Sequence, residues 1–280
     1  MSNAASDVAS VVALWRYPVK SMMGEELNSA DVTERGLVGD RHFALRDPAT
    51  GKVVSAKNPR KWGNFFDFRA VFAEPPTTGS RLPPVRITLP DGAVVSTEQD
   101  DLAQILSTAL GREVTLDEVE PGAATAAQGA TAEEYWPDIE GLDYRDTVTD
   151  FDLPEGMFFD IGMVHLITTT TLDRLRDFYQ AGRFETRRFR PNIVVAPRPD
   201  EQGFVENDWI GRTLAIGEQV RLRVTEPCPR CVMTTLAQGD LPKDPGILRA
   251  AAQHNGANVG VYASVEQGGA IRRGDPVTVQ

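Results

Sequence analysis

Two cysteines are the whole thiol content of the chain, and both lie in Glu226-Pro-Cys228-Pro-Arg-Cys231-Val-Met-Thr-Thr235. Four kinds of chemistry use such a pair. A structural zinc centre takes four protein ligands. The pair would then need two of His42, His165 and His254, none of which stands at paired-ligand spacing. A redox dithiol opens a helix after a buried strand in a βαβ context, and Val232-Met-Thr-Thr235 is a poor helix start. Two inert buried thiols need no further partner. In the fourth reading one thiolate binds a soft or high-valent metal whose other positions a cofactor fills. Arg230 beside Cys231 is expected to lower the thiol pKa and favour that anionic ligand. The chemistry of the pair alone leaves these readings open.

Anion-binding signals stand elsewhere. Lys20-Ser21 follows Pro18-Val19, and Asp40-Arg41-His42 precedes a hairpin pattern. The stretch 183–190 carries four Arg and one Glu and runs into Pro191-Asn192. Thr168, Thr169, Thr170 and Thr171 form a run of hydroxyls at an expected helix N-terminus, a natural place for a phosphate. Singly, each reads as a solvated Lys, a surface ion pair or a helix cap. They are scattered along the chain, and spacing does not show them converging.

The elements that must position these residues are mostly strands. Val11 to Tyr17 is a strand stopped by Pro18. His42 to Arg46 and Lys52 to Ala56 flank Asp47-Pro-Ala-Thr-Gly51, a hairpin signal. Phe68 to Phe72 is a third strand, and Val85 to Leu89 with Ala93 to Ser96 flank Pro90-Asp-Gly92. Leu102, Ile105, Leu106, Ala109 and Leu110 then share one helical face. Ser96 and Gln99 fit a capping box, and Gly111 fits a stop. A short strand follows near Val114.

The second part opens with a strand from Phe158 to Ile167 and a helix with Thr171 as N-cap and Gly182 as stop. Ile193 to Ala196 is a short strand. Leu214 to Thr225 alternates, with Val220, Leu222 and Val224 on one face. A helix over 245–253 and strands over 259–265 and 276–279 close the chain. Many strands, few helices and no βαβ alternation predict a mainly β chain with α+β elements, a β-barrel or mixed architecture.

The 280 residues are 41% hydrophobic and 25% charged, with a formal net charge of −11, a profile suited to a globular core. Twelve acids and one base, Arg145, lie within 117–155, which leaves the rest of the chain with 28 charges of each sign. The acidity therefore belongs to one segment, and a basic pocket can form elsewhere. That segment, with its small-residue stretch 121–129, reads as a linker or long surface loop. The sharper reading is a docking patch for a basic partner. The overall acidity argues against nucleic acid as a partner. No apolar run is long enough to span a membrane, and the start lacks a secretory pattern. The expectation is a cytoplasmic protein with no membrane partner.

Taken together, the motifs resemble the MOSC-domain proteins that carry an N-terminal MOSC β-barrel domain, including the amidoxime-reducing components. Leu14-Trp-Arg-Tyr-Pro-Val-Lys-Ser21, Gly36-Leu37, Gly39-Asp-Arg-His-Phe43 and Ser55-Ala-Lys-Asn-Pro-Arg60 resemble the N-terminal part. Phe189-Arg-Pro-Asn-Ile-Val194 and Cys228-Pro-Arg-Cys231-Val-Met-Thr-Thr235 resemble the MOSC motifs. The resemblance implies an N-terminal MOSC β-barrel-like domain over 8–116, the acidic linker over 117–155 and a MOSC β-barrel domain over 156–280.

It also implies a molybdenum cofactor, a molybdopterin whose metal takes one protein cysteine. By motif that ligand is Cys231, and Cys228 stands behind it. Lys20, Ser21, Arg41, Arg190, Asn192 and Arg230 match positions that hold the pterin and phosphate, and the hydroxyls of Thr168 to Thr171 match a stretch that reaches the cofactor. Convergent Arg and Lys suit a phosphate and an electron-rich dithiolene. Met22-Met23 after Lys20-Ser21 departs from the family pattern and touches the expected pocket mouth.

The implied activity is reduction of N-hydroxylated compounds such as amidoximes, hydroxylamines and N-hydroxylated bases. No four-cysteine tail follows, so electrons are expected from a separate ferredoxin-like, flavodoxin-like or cytochrome b5-like protein. His42 is a candidate proton donor by residue type alone. The alternative is a non-catalytic carrier of the cofactor or of sulfur, since MOSC domains also form the C-terminal part of cofactor sulfurases, which carry a pyridoxal-phosphate domain. A third reading is a protein with structural cysteines whose pocket binds some other anion.

Overall fold

A computed structural model describes residues 8–119, 130–143, 145–154 and 157–280. The chain is mostly β, as its periodicity predicts. Seven strands close a barrel. Val164–Thr168 pairs in parallel with Ile193–Pro197 and antiparallel with Asn258–Gln267. The ring continues through Val220–Pro229, Thr213–Ile216 and Pro276–Val279 to the first strand, Ala9–Arg16, which pairs back onto Ile193–Pro197. Alternation places Val220, Leu222 and Val224 inward, where they meet Val11, Leu14, Leu166, Ile193 and Val261. The barrel thus takes one stave from the far end of the sequence.

Smaller sheets build the N-terminal region. Gly269–Arg272 pairs with Ser29–Thr33, and Ser29–Thr33 with Gly36–Leu37. Arg69–Phe72, Val85–Thr88 and Val94–Ser96 form a three-stranded sheet. Phe43–Arg46 pairs with Thr115–Glu118. The expected partner over 52–56 pairs briefly across the turn, through the Arg46–Val53 bridge and the Asp47 N–H to Lys52 O and Val54 N–H to Leu45 O bonds, while the amide of Val53 turns outward to the carbonyl of Thr131. A second core of Val19, Met22, Phe43, Trp62, Phe65, Phe68, Ile87 and Leu106 lies here.

Four helices are described: α1 (Leu102–Leu110), α2 (Thr169–Phe178), α3 (Thr186–Phe189) and α4 (Gly246–Asn255). Gly111 ends α1 at φ 68°, as expected. Gln99 accepts from the amide of Ser96 one turn before α1, whose N-cap is Asp101. The N-cap of α2 is Thr168, not Thr171. The strand expected from Phe158 begins only at Val164, and α2 ends at Phe178, before Gly182.

The acidic segment, expected as linker or loop, holds a hairpin of Thr131–Trp136 with Thr147–Asp152. Its carboxylates meet the basic stretch 52–61: Glu133 with Lys52 and Lys61, Glu134 with Lys57, Asp146 with Arg60, and Asp150 with Lys52. The stretch 121–129 lies outside the described residues. Among the described residues, no helix is long and apolar enough to cross a membrane.

Candidate functional site

The strand Val220–Pro229 leaves its neighbour through register shifts between Val224 and Glu226 and between Pro227 and Pro229. Two prolines without N–H groups and these irregularities bend the strand end out of the ladder. Cys231 follows as the N-cap of a short 3-10 turn, Val232–Thr235. Val232 and Met233 then insert into the N-terminal core. The Cys231 sulfur is therefore held at the seam of two cores.

Arg188 fixes the same turn from behind. Its guanidinium is fully buried and donates to the carbonyls of Thr234 at 3.3 Å, Leu236 at 3.1 Å and Pro242 at 2.8 Å.

Cys231 opens into a cavity of about 200 Å³. Of the residues expected at the site, Lys20, Ser21, Arg41, Arg190, Asn192 and Arg230 all line it. Lys57 joins them, so five cationic side chains face two carboxylates, Glu134 and Asp160. The convergence that spacing could not show is thus a property of the fold.

Tyr17 organises the cations. Its ring lies 4.4 Å from the Arg41 guanidinium and 4.2 Å from that of Arg190. Its backbone amide donates to Asp40 Oδ1 at 2.8 Å, and Asp40 Oδ2 accepts from Asn192 Nδ2 at 2.9 Å and from Arg41. Asn192 Oδ1 in turn accepts from the amide of His165 at 3.1 Å. Asn192 thus joins the first segment to the barrel. Arg190 Nη1 donates to the Met22 carbonyl at 2.6 Å, and burial with Arg41 nearby pushes its pKa down to about 10.

Ser21, Arg41 and Arg190 all have left-handed backbones, with φ of 69°, 47° and 54°. Such a conformation costs a residue with a Cβ about 1–2 kcal/mol, and it clusters here at the cavity.

Beside Cys231 a chain of charges crosses from one segment to the next. Lys20 Nζ bonds Asp160 and the Phe158 carbonyl. Asp160 Oδ2 lies 3.3 Å from Lys57 Nζ, which lies 3.1 Å from Glu134 Oε2. Burial alone would raise the Asp160 pKa, but Lys20 and Lys57 hold it well below the usual carboxylate range. Burial raises that of Glu134, opposed by Lys57, and the carboxyl also contacts the Cys231 thiol.

Burial pushes the Cys231 thiol up to about 11, Lys57 and Arg230 pulling the other way. The lowering expected from Arg230 is outweighed, and Arg230 Nη1 is engaged by Cys228 Sγ at 2.7 Å. Arg230 Nε has no hydrogen-bond partner among the described residues.

The four threonines are not among the cavity residues. Thr168 and Thr171 donate to Glu206 Oε2 at 2.5 and 2.7 Å, and Thr169 and Thr170 line a separate surface depression with Asp173 and Arg198. His42 also lies outside, 3.1 Å from Glu118. His165 does line the cavity, where burial and then Arg230 lower its pKa to about 3. It is therefore neutral, with Nε2–H donating to the Val259 carbonyl at 3.0 Å. Gly260 permits that approach, because a Cβ there would stand 2.5 Å from His165 Nε2.

Sequence reading missed Lys57, Glu134, Trp136, Asp160 and Tyr262. The usable signal for two of them was period-two alternation, which sets Glu134 and Trp136 on the same face of one strand as the buried Ala132.

Residues 157–278 match the family model of the MOSC domain, and residues 8–61 match that of the MOSC N-terminal beta barrel domain. The curated protein named mitochondrial amidoxime reducing component 2 from Rattus norvegicus is 26% identical over 306 residues, spanning 96% of this chain and 83% of that protein. The protein of the same name from Macaca fascicularis is 26% identical over 304 residues, with the same shares. Among solved structures, the YUAD protein from Bacillus subtilis matches at 13% identity and a TM-score of 0.46, over 97% of this chain and 95% of that one. YiiM from Geobacillus stearothermophilus matches at 21% identity and a TM-score of 0.33, over 42% of this chain and 54% of that one. The chain belongs to the proteins that join a MOSC N-terminal beta barrel domain to a MOSC domain.

Proposed function

We propose that the chain is a reductase of N-hydroxylated compounds that holds a molybdenum cofactor against Cys231. One observation carries this reading: a single cavity joins one thiol to five cationic side chains from distant segments. The donor set fits the group. Among the described residues, no three His, Cys, Asp or Glu side chains gather as a metal site, so a metal here needs its other ligands from an organic partner. The cations suit an anionic cofactor with a phosphate, and Arg230 Nε is a buried donor without an acceptor among the described residues.

When bound, the cofactor supplies a two-electron couple at a metal anchored by Cys231. The chain's own residues would do the rest. Lys20, Arg41, Arg190 and Arg230 bind the anionic groups. Tyr17 and Asp40 fix Arg41, and Tyr17 and the Met22 carbonyl fix Arg190. Phe158, Phe159 and Met233 exclude water from part of the wall.

The reaction balances as follows. The N–O bond breaks, an N–H bond forms and the oxygen leaves as water, with two electrons from a separate donor protein and two protons from solvent.

The test is turnover. Protein from a host that makes molybdopterin, given a chemical reductant and benzamidoxime, is expected to form benzamidine. Bound molybdenum without turnover on a broad N-hydroxy panel would favour the carrier reading instead, and absent metal would favour a site for another anion.

A further inference from the structure

We propose that Lys57 is the positioning residue for the metal's protein ligand. Its ammonium, clamped between Glu134 and Asp160, is the fixed positive charge that holds the Cys231 sulfur as an anionic ligand and raises the potential of the metal bound there. The inference rests on the reading of Cys231 as the metal anchor and adds to it the residue that tunes that anchor.

Arg230 is the cation next to Cys231 in the chain, but two of its nitrogens are engaged elsewhere. Nη1 meets Cys228 Sγ at 2.7 Å, and Nη2 donates to the Phe189 carbonyl at 2.8 Å. Lys57 arrives from a distant segment that the fold ties down on two sides. The amide of its neighbour Ala56 donates to Ser21 Oγ at 3.0 Å, and its own carbonyl accepts from the amide of Tyr135 at 2.8 Å. The loop is thus fixed both to the cavity wall at Ser21 and to the hairpin that carries Glu134.

A lysine carries a compact charge on a flexible stem, so it acts at one place only when clamped. Lys57 is 8% exposed, and its Nζ lies 3.1 Å from Glu134 Oε2, 3.3 Å from Asp160 Oδ2 and 4.5 Å from the centre of the Phe151 ring. Burial works against the ammonium, but Asp160, Cys231 and Glu134 outweigh it and raise its pKa, so the charge is permanent.

The local charge balance gives this cation more to do than neutralise its partners. Lys20 and Lys57 face Asp160 and Glu134, two of each sign. A thiolate adds one negative charge, and it does so in contact with Glu134, which touches the Cys231 side chain. Buried charges are costly unless paired, so a cation must adjoin both anions. Lys57 is bonded to Glu134 and shares the cavity with Cys231. Burial disfavours the thiolate most; of the charges acting on it, Lys57 is the strongest, ahead of the opposing Glu134 and of Arg230. A fixed cation also favours the more reduced metal, because reduction adds negative charge beside it.

The test compares molybdenum-loaded wild type with Lys57→Met, Lys57→Arg and the double variant Lys57→Met/Glu134→Gln. The metal's one-electron potential is read by redox titration with electron paramagnetic resonance, and molybdenum release is followed during dialysis. Lys57→Met is expected to move the one-electron equilibrium about tenfold toward the oxidised metal, a potential about 59 mV lower, and to release molybdenum faster. Lys57→Arg keeps the charge and should stay near wild type. The double variant removes one charge of each sign, which restores the balance of the buried cluster and guards against a folding defect. It is expected to lie between Lys57→Met and wild type, with its potential still below that of wild type.

A lysine that only neutralised Glu134 would leave the double variant equal to wild type in potential and in release, and that result overturns the inference. A Lys57→Arg potential shifted as far as that of Lys57→Met does the same. Wild type without molybdenum refutes the cofactor reading and this inference with it. Wild type that holds molybdenum but reduces no N-hydroxy compound contradicts the reductase reading alone, and the potentials then still decide the role of Lys57.

Discussion

At Tyr17 two guanidinium groups share one aromatic ring, and the cost of bringing like charges together is offset by the ring, by Asp40 and by backbone carbonyls. The same field acts on His165, whose pKa is lowered to about 3 by burial and then by Arg230. The sign follows directly: the unfolded chain binds a proton near pH 6.5 that the folded chain refuses until about pH 3. His165 therefore contributes stability that is present above pH 6.5 and is lost as pH falls toward 3. Thermal midpoints measured from pH 7 to 4 should fall in wild type and flatten in His165→Gln, which keeps a donor for the Val259 carbonyl. Equal slopes would contradict this assignment. None of this was legible in the chain, because His42 and His165 look alike as letters. Only the fold sends one to Glu118 and the other into the cavity.

At the scale of elements, the strand alternation over 220–224 and the apolar face of α1 were readable because each is decided by local period. The hairpin at 131–152 was not. Its acidic composition matched a solvated loop, while its true partner, the basic stretch 52–61, lies more than seventy residues upstream. The hydroxyl run shows the opposite failure. Thr168 to Thr171 has the composition of a phosphate site, yet Thr168 caps α2 and shares Glu206 with Thr171. Thr168→Ala should then cost about 1–2 kcal/mol, seen as a thermal midpoint a few degrees lower, with molybdenum content unchanged. Loss of metal at an unchanged midpoint would instead return that hydroxyl to the cofactor.

At the scale of the whole molecule, the N-terminal region and the barrel are two cores sewn together by short pieces of chain. Ala9–Arg16 is a barrel stave, and Val232 and Met233 plug the other core. The motif order along the sequence carried the family and the fold class, since those depend on composition and local pattern. It could not carry the interleaving, which depends on contacts between residues nearly two hundred positions apart. A fragment of residues 156–280 leaves the barrel without its closing strand and is expected to show no cooperative melt by circular dichroism. A sharp transition in that fragment would refute the shared-barrel account.

Under the proposed function Cys231, and not the cysteine pair, anchors the metal. Molybdenum per chain, measured by mass spectrometry after expression in a molybdopterin-making host, tests it most directly. The account predicts close to one atom in wild type, little change in Cys228→Ala and none retained in Cys231→Ala. Equal loss in both variants, or a metal-free wild type, would contradict it.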